Sequence, residues 1–111
     1  MGYEKEAQME KIRKVKIWVD DVREKPEDYD LWALTVSDAV FYLGLYYPDI
    51  EVLDLDHDAG NCAEFGGDYI EILNFMEEAN LDIPIRLHTM NPVGRENMER
   101  IIRKNGWKLI P

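Results

Sequence analysis

The segment IEVLDLDHDAG, residues 50–60, runs from an apolar stretch straight into Asp54, Asp56, His57 and Asp58. Carboxylates gathered this closely repel one another, and each loses hydration when buried, so something must offset the cost. A divalent cation or a phosphate-handling site would do so; a solvated turn would avoid the cost altogether. Two other apolar runs end in the same way. VKIWVDD finishes on Asp20 and Asp21, and IPIRLH finishes on His88 with Thr89 and Asn91 just beyond. Carboxylates in this number suit Mg²⁺ or Mn²⁺, which take a few acidic oxygens and keep several waters. The two histidines are the side chains best placed to donate and accept a proton near neutral pH.

Each residue also has a plainer reading. Paired aspartates at a strand end are just as often a solvated turn. His57 could bond locally to its neighbours, and His88 taken alone reads more readily as a structural imidazole. Asn91–Pro92 suits a helix start, with Asn as the cap and Pro at the first position. A helix N-terminus there would also offer amides to an anion. Arg95 would then lie in the first turn, an unfavourable place for a cation. A ligand phosphate would resolve that conflict, and so would a nearby acid. Arg23 could clamp a phosphate or pair with Glu24 or Glu27. Trp18 and Trp32 read as packing residues, and Cys62 carries no particular signal.

These side chains need a scaffold that brings strand ends together. Residues 15–21 read as a buried strand, and LWALT (31–35) as a short edge strand. Thr35 followed by Asp38 has capping-box spacing, and Val36, Ala39, Val40 and Leu43 predict a helix over 36–46. Pro48 and Asp49 end it. A strand over 51–56, a loop through AGNCAEFGG, a helix over 68–79 and a strand over 83–88 follow. Met98, Ile101 and Ile102 stripe a helix that Gly106 terminates, and WKLI closes the chain as a last strand. Strands alternating with helices predict an α/β fold, a doubly wound, mostly parallel sheet of four to five strands in three layers. Ligands of such sheets sit at the carboxyl ends of the strands, near the switch in strand order, where all three polar clusters fall.

Composition narrows the classes. At 111 residues the chain holds one core, and 46% hydrophobic with 32% charged residues is a globular balance. Residues 1–13 read as an N-terminal extension with some helical character, and 14–111 as the domain. A net charge of −10 argues against a broad nucleic-acid surface but leaves room for a phosphorylated small molecule or an RNA end held locally. The single cysteine, Cys62, excludes an intramolecular disulfide and fits a reducing compartment. No apolar run approaches a membrane span and the N-terminus has no apolar leader region, so a cytoplasmic protein is expected. Nothing in the sequence sets an oligomeric state.

The blocks IWVDDVREKP, LDHDAG with GGDY, and LHTMNPVGRENM together resemble the cyclic-phosphate processing receiver domains, over about residues 15–109. This is a compact relative of the receiver domains of two-component signalling. The resemblance implies a receiver-like fold lacking one helix, which agrees with the helix-poor stretch between residues 22 and 34. It also implies metal-assisted processing of cyclic phosphates, on a nucleotide or an RNA end. Asp20, Asp21 and Asp56 match the receiver metal-binding acids, and Thr89 matches the receiver hydroxyl. His57, Asp58, His88 and Asn91 match positions special to the compact family. One position departs: where receivers carry a Lys before a Pro at the last strand, this chain has Ile110 before Pro111, which argues against aspartyl-phosphate signalling through Asp56. A non-catalytic pseudo-receiver that binds a phosphorylated ligand or a protein partner is the alternative. A haloacid-dehalogenase-type phosphatase, suggested by the Asp-x-Asp of LDLDHD, ranks last: that class needs a later Lys and a distal acidic pair, whereas here the acidic pair precedes the nucleophile strand.

Overall fold

A computed structural model describes residues 14–111; the N-terminal extension lies outside the described residues. Five strands, β1 (Val15–Val19), β2 (Leu31–Ala33), β3 (Ile50–Leu55), β4 (Ile85–Leu87) and β5 (Leu109–Ile110), form one parallel sheet. Their order is β2-β1-β3-β4-β5. The helices are α1 (Val36–Tyr46), α2 (Ile70–Ala79) and α3 (Pro92–Asn105). The expected elements are all present, and the loop after β3 contains a short 3₁₀ turn, Gly60–Phe65.

Strand alternation sorts the sheet residues onto two faces. Ile17, Val19, Leu53, Leu55, Ile85 and Leu87 point to one face and pack with Ala39 and Leu43 of α1, Ile72, Leu73 and Met76 of α2, and Met98 and Ile102 of α3. The residues between them, Trp18, Asp54 and Arg86, are register partners on the other face. There a smaller apolar cluster of Trp18, Tyr29 and Val52, with the partly buried Trp32 and Ile110 against it, lies beside the fully buried Asp54. The β1–β2 connection supplies Tyr29 in place of a crossover helix, as expected for a receiver fold with a helix missing. Few apolar residues lie between 22 and 30, so that segment could not have covered the sheet as a helix.

Local signals set the helix ends. The Thr35 hydroxyl accepts from the Asp38 amide at 2.9 Å, and the Asn91 side chain accepts from the Gly94 amide at 3.0 Å. Gly106, at φ 71°, ends α3 in the left-handed region. No described helix is long and apolar enough to cross a membrane. The consequence for function lies at the carboxyl edge. The chain leaves β1 toward β2 on one side, and every later crossover moves the other way, so β1 and β3 flank the switch point.

Candidate functional site

Asp20 follows β1 and is fully buried. One of its oxygens accepts from the Val22 and Arg23 amides, both at 2.9 Å, and the other lies 2.8 Å from His88 Nε2. Burial pushes this carboxyl up, but the two amides and the imidazole outweigh it and hold Asp20 below its ordinary value. Asp56 follows β3 and accepts from the His57 amide at 2.7 Å. Ligand-type atoms of Asp20, Asp56 and His88 all lie within 4.8 Å of one another. Asp21 is the edge of the same cluster: burial, and then the charges of Asp20, Asp56 and Asp58, raise its carboxyl above the usual range. Gly60, at φ 56°, passes so close that a Cβ there would lie 2.4 Å from an Asp21 oxygen.

The donor set fits a divalent cation. Carboxylate oxygens come from the ends of two neighbouring strands, and an imidazole nitrogen from a third. No Lys or Arg pairs with Asp20, Asp21 or Asp56 among the described residues; the His88 imidazole, 2.8 Å from Asp20, is the basic side chain that meets them. Asp20, Asp56 and His88 could therefore hold a metal ion, with Asp21 beside them.

A second group lies on the helix side. His57 Nδ1 is 2.9 Å from an Asp58 oxygen, and this bond, with help from Asn91, lowers the Asp58 carboxyl. Asn91 Nδ2 reaches Asp58 at 3.4 Å while its oxygen caps α3. Thr89, nearly buried, accepts from the Asn91 amide at 3.1 Å and keeps its hydroxyl proton free to donate. Arg23 donates to the His88 carbonyl at 2.8 Å rather than to Glu24 or Glu27. Arg95 donates to the Leu87 carbonyl and pairs with Glu99 at 3.2 Å, so a nearby acid settles its conflict with the helix dipole.

Gly94 makes this packing possible. A Cβ at that position would lie 2.4 Å from His57 Cγ and 2.7 Å from Nδ1. Gly94→Ala should cost about 1–3 kcal/mol through overpacking, although alanine alone would favour the helix by up to ~1 kcal/mol. Urea denaturation reads the sum. A variant as stable as the parent, or more so, would show that the His57 ring is not confined there.

The sequence did not single out what surrounds His88. Its Nδ1 lies 2.7 Å from Asp54 Oδ1, and Trp18 stacks on its ring at 3.9 Å with planes 5° apart. Asp54 is fully buried; its other oxygen accepts from the Tyr29 hydroxyl, with Arg86 at 3.4 Å. Burial and the bond to Asp54 push the Tyr29 hydroxyl up to about 12. Trp18 and Trp32 are packing residues, as read, and both indole nitrogens donate to backbone carbonyls.

Parallel strands in this order, with acids at both sides of the switch point and a hydroxyl after the next strand, define a receiver domain. The chain belongs to the cyclic-phosphate processing receiver domains, whose family model matches residues 15–104. No curated protein and no solved structure gives a significant match.

Proposed function

We propose that this protein is a metal-assisted phosphoesterase acting on cyclic phosphates, carried by a small nucleotide or by the end of an RNA. The observation that carries the reading is the convergence of Asp20, Asp56 and His88 at the switch point of a chain in this family. Asp20, Asp56 and Asp21 would hold Mg²⁺ or Mn²⁺. Such a cation neutralises charge that develops on phosphoryl oxygens. Hydrolysis of a cyclic diester adds water across one ring P–O bond, so one proton leaves the water and one reaches the departing oxygen. His57 and His88 each face an aspartate with Nδ1, and His88 also meets Asp20 with Nε2; these two imidazoles would move the two protons. Thr89, Asn91, Arg23, Arg95 and Asp58 would bind the substrate. The acidic surface favours a small ligand over a long phosphate backbone.

One feature favours the non-catalytic alternative, a module that binds a phosphorylated ligand or a protein partner. His88 has a carboxylate at both ring nitrogens, so a proton transfer must first displace Asp20 from Nε2. A turnover assay separates the two readings. The substrates are 2′,3′-cyclic and 3′,5′-cyclic nucleotides and an RNA with a cyclic-phosphate end, each with Mn²⁺, Mg²⁺ or chelator. Metal-dependent ring opening is expected. Saturable binding of these compounds with no turnover at any pH would establish the binding module instead.

A further inference from the structure

Asp54 is a charged residue in a strand whose neighbours Leu53 and Leu55 are wholly buried. Burying a carboxylate costs several kcal/mol unless its oxygens are bonded, yet the receiver metal acids do not include it, and it lies away from the helix-packed core. Both of its oxygens are committed. Oδ1 faces His88 Nδ1 at 2.7 Å, and Oδ2 takes the Tyr29 hydroxyl with Arg86 alongside. Trp18 closes the remaining side by stacking on the imidazole and meeting Tyr29 edge-on, ring centroids 5.4 Å apart. His88 is thereby held at one nitrogen and one face, and its Nε2 is presented to Asp20 and Asp56.

We propose that Asp54 is a positioning residue for His88, anchored by Tyr29 and Arg86. It fixes the Nδ1–H donor and the ring plane, so that only Nε2 meets the ligand side. The inference deepens the phosphoesterase reading and rests on it for the meaning of turnover, but not for the geometry. A buried carboxylate behind an imidazole sets which nitrogen carries the proton, and that arrangement recurs on unrelated folds wherever a histidine transfers protons or binds a metal. Tyr29 belongs to the connection that replaces a crossover helix. The shortened fold thus uses that connection to cover the back of the site.

The test uses the full chain labelled with ¹⁵N-histidine, and the variants Asp54→Leu, Asp54→Asn and Tyr29→Phe. In the parent, His88 should show a protected, hydrogen-bonded Nδ1–H resonance. Asp54→Leu removes the acceptor and should lose that resonance, with kcat for a cyclic phosphate falling by about 10²-fold or more while KM changes little. Asp54→Asn keeps a neutral acceptor, so it should retain the resonance and recover part of kcat. Tyr29→Phe, which touches no ligand-facing group, should shift the resonance and lower kcat by less than Asp54→Leu does. A merely structural role would make the losses follow stability and not the Nδ1–H signal. The proposal is overturned if parental His88 carries its proton on Nε2 alone, or if Asp54→Leu leaves the Nδ1–H resonance in place. Should the leucine variant not fold, the asparagine and phenylalanine variants decide it by the same resonance. Absence of turnover in the parent would sink the phosphoesterase reading, while the resonance would still decide the role of Asp54.

Discussion

His88→Ala is expected to lose about 3–5 kcal/mol of stability, because two buried carboxylates each lose a hydrogen-bond partner at about 1–3 kcal/mol apiece. The side chain bridges three elements. It joins Asp20 after β1 to Asp54 in β3 from its own place after β4, and Trp18 stacks on it. Alanine leaves both acids buried with an acceptor unfilled and opens a gap against the indole. A domain of this size has ~5–15 kcal/mol in all, so the variant would be marginal at room temperature. Urea denaturation in chelator measures it. A loss below about 1 kcal/mol would mean that water or a side-chain shift satisfies Asp20 and Asp54 at no cost, and that the clamp is not structural. Lost turnover in this variant is therefore poor evidence of a chemical role, because fold and chemistry would fail together.

The same variant has a pH signature. Asp20 sits below its ordinary value in the folded protein, so its stabilisation is fully present above the unfolded carboxyl range near 3.8. It is lost as pH falls through the lowered folded value. His88 is one of the groups that lower it, after the Arg23 and Val22 amides. Removing the imidazole should move the acid unfolding transition to higher pH. Acid titrations of parent and variant, each followed by circular dichroism without divalent cation, compare the midpoints. Coincident midpoints would show that the amides alone hold Asp20 ionised.

Much of this could be read from the sequence because several signals agree locally. The caps at Thr35 and Asn91, the stop at Gly106 and the β-branched runs each state an element end, and strand–helix alternation then leaves few topologies. Charges at three strand ends pointed to the candidate site, since parallel sheets bind ligands at that edge. The support of His88 was less visible. Asp54 stood in the sequence as a charge inside an apolar run, which is a signal, but it read as part of the terminal cluster. Only the register of β1, β3 and β4 shows that Asp54 shares a face with Trp18 and Arg86. Tyr29 gave no signal at all, because its partner is 25 residues away across a connection with no periodic pattern. The pairing of Arg95 with Glu99 was legible as i,i+4 spacing; its bond to the Leu87 carbonyl was not.

Asp56→Asn should abolish divalent-ion binding while leaving the fold intact, which makes it the cleaner probe of the site. The Asp56 oxygen that accepts from the His57 amide is retained by asparagine, so the local backbone keeps its bond. What disappears is one negative charge from a cluster in which the Asp21 carboxyl, raised first by burial, is raised further by the charges of Asp20, Asp56 and Asp58. Without cation, the variant should be at least as stable as the parent. With Mn²⁺, the parent should gain RT ln(1 + [Mn²⁺]/Kd), about 2.7 kcal/mol at a hundred times Kd, and the variant should gain almost nothing. Its affinity should fall by at least ~100-fold, beyond the 10–100-fold that follows loss of a partner outside the coordination sphere. Calorimetric Mn²⁺ titration and urea denaturation with and without the ion measure both quantities. Equal affinity in parent and variant would place the ion away from Asp56. A variant less stable than the parent without cation would mean that the carboxylates are held by the fold alone, and the repulsion at the end of β3 would then be offset by hydrogen bonds rather than by a metal.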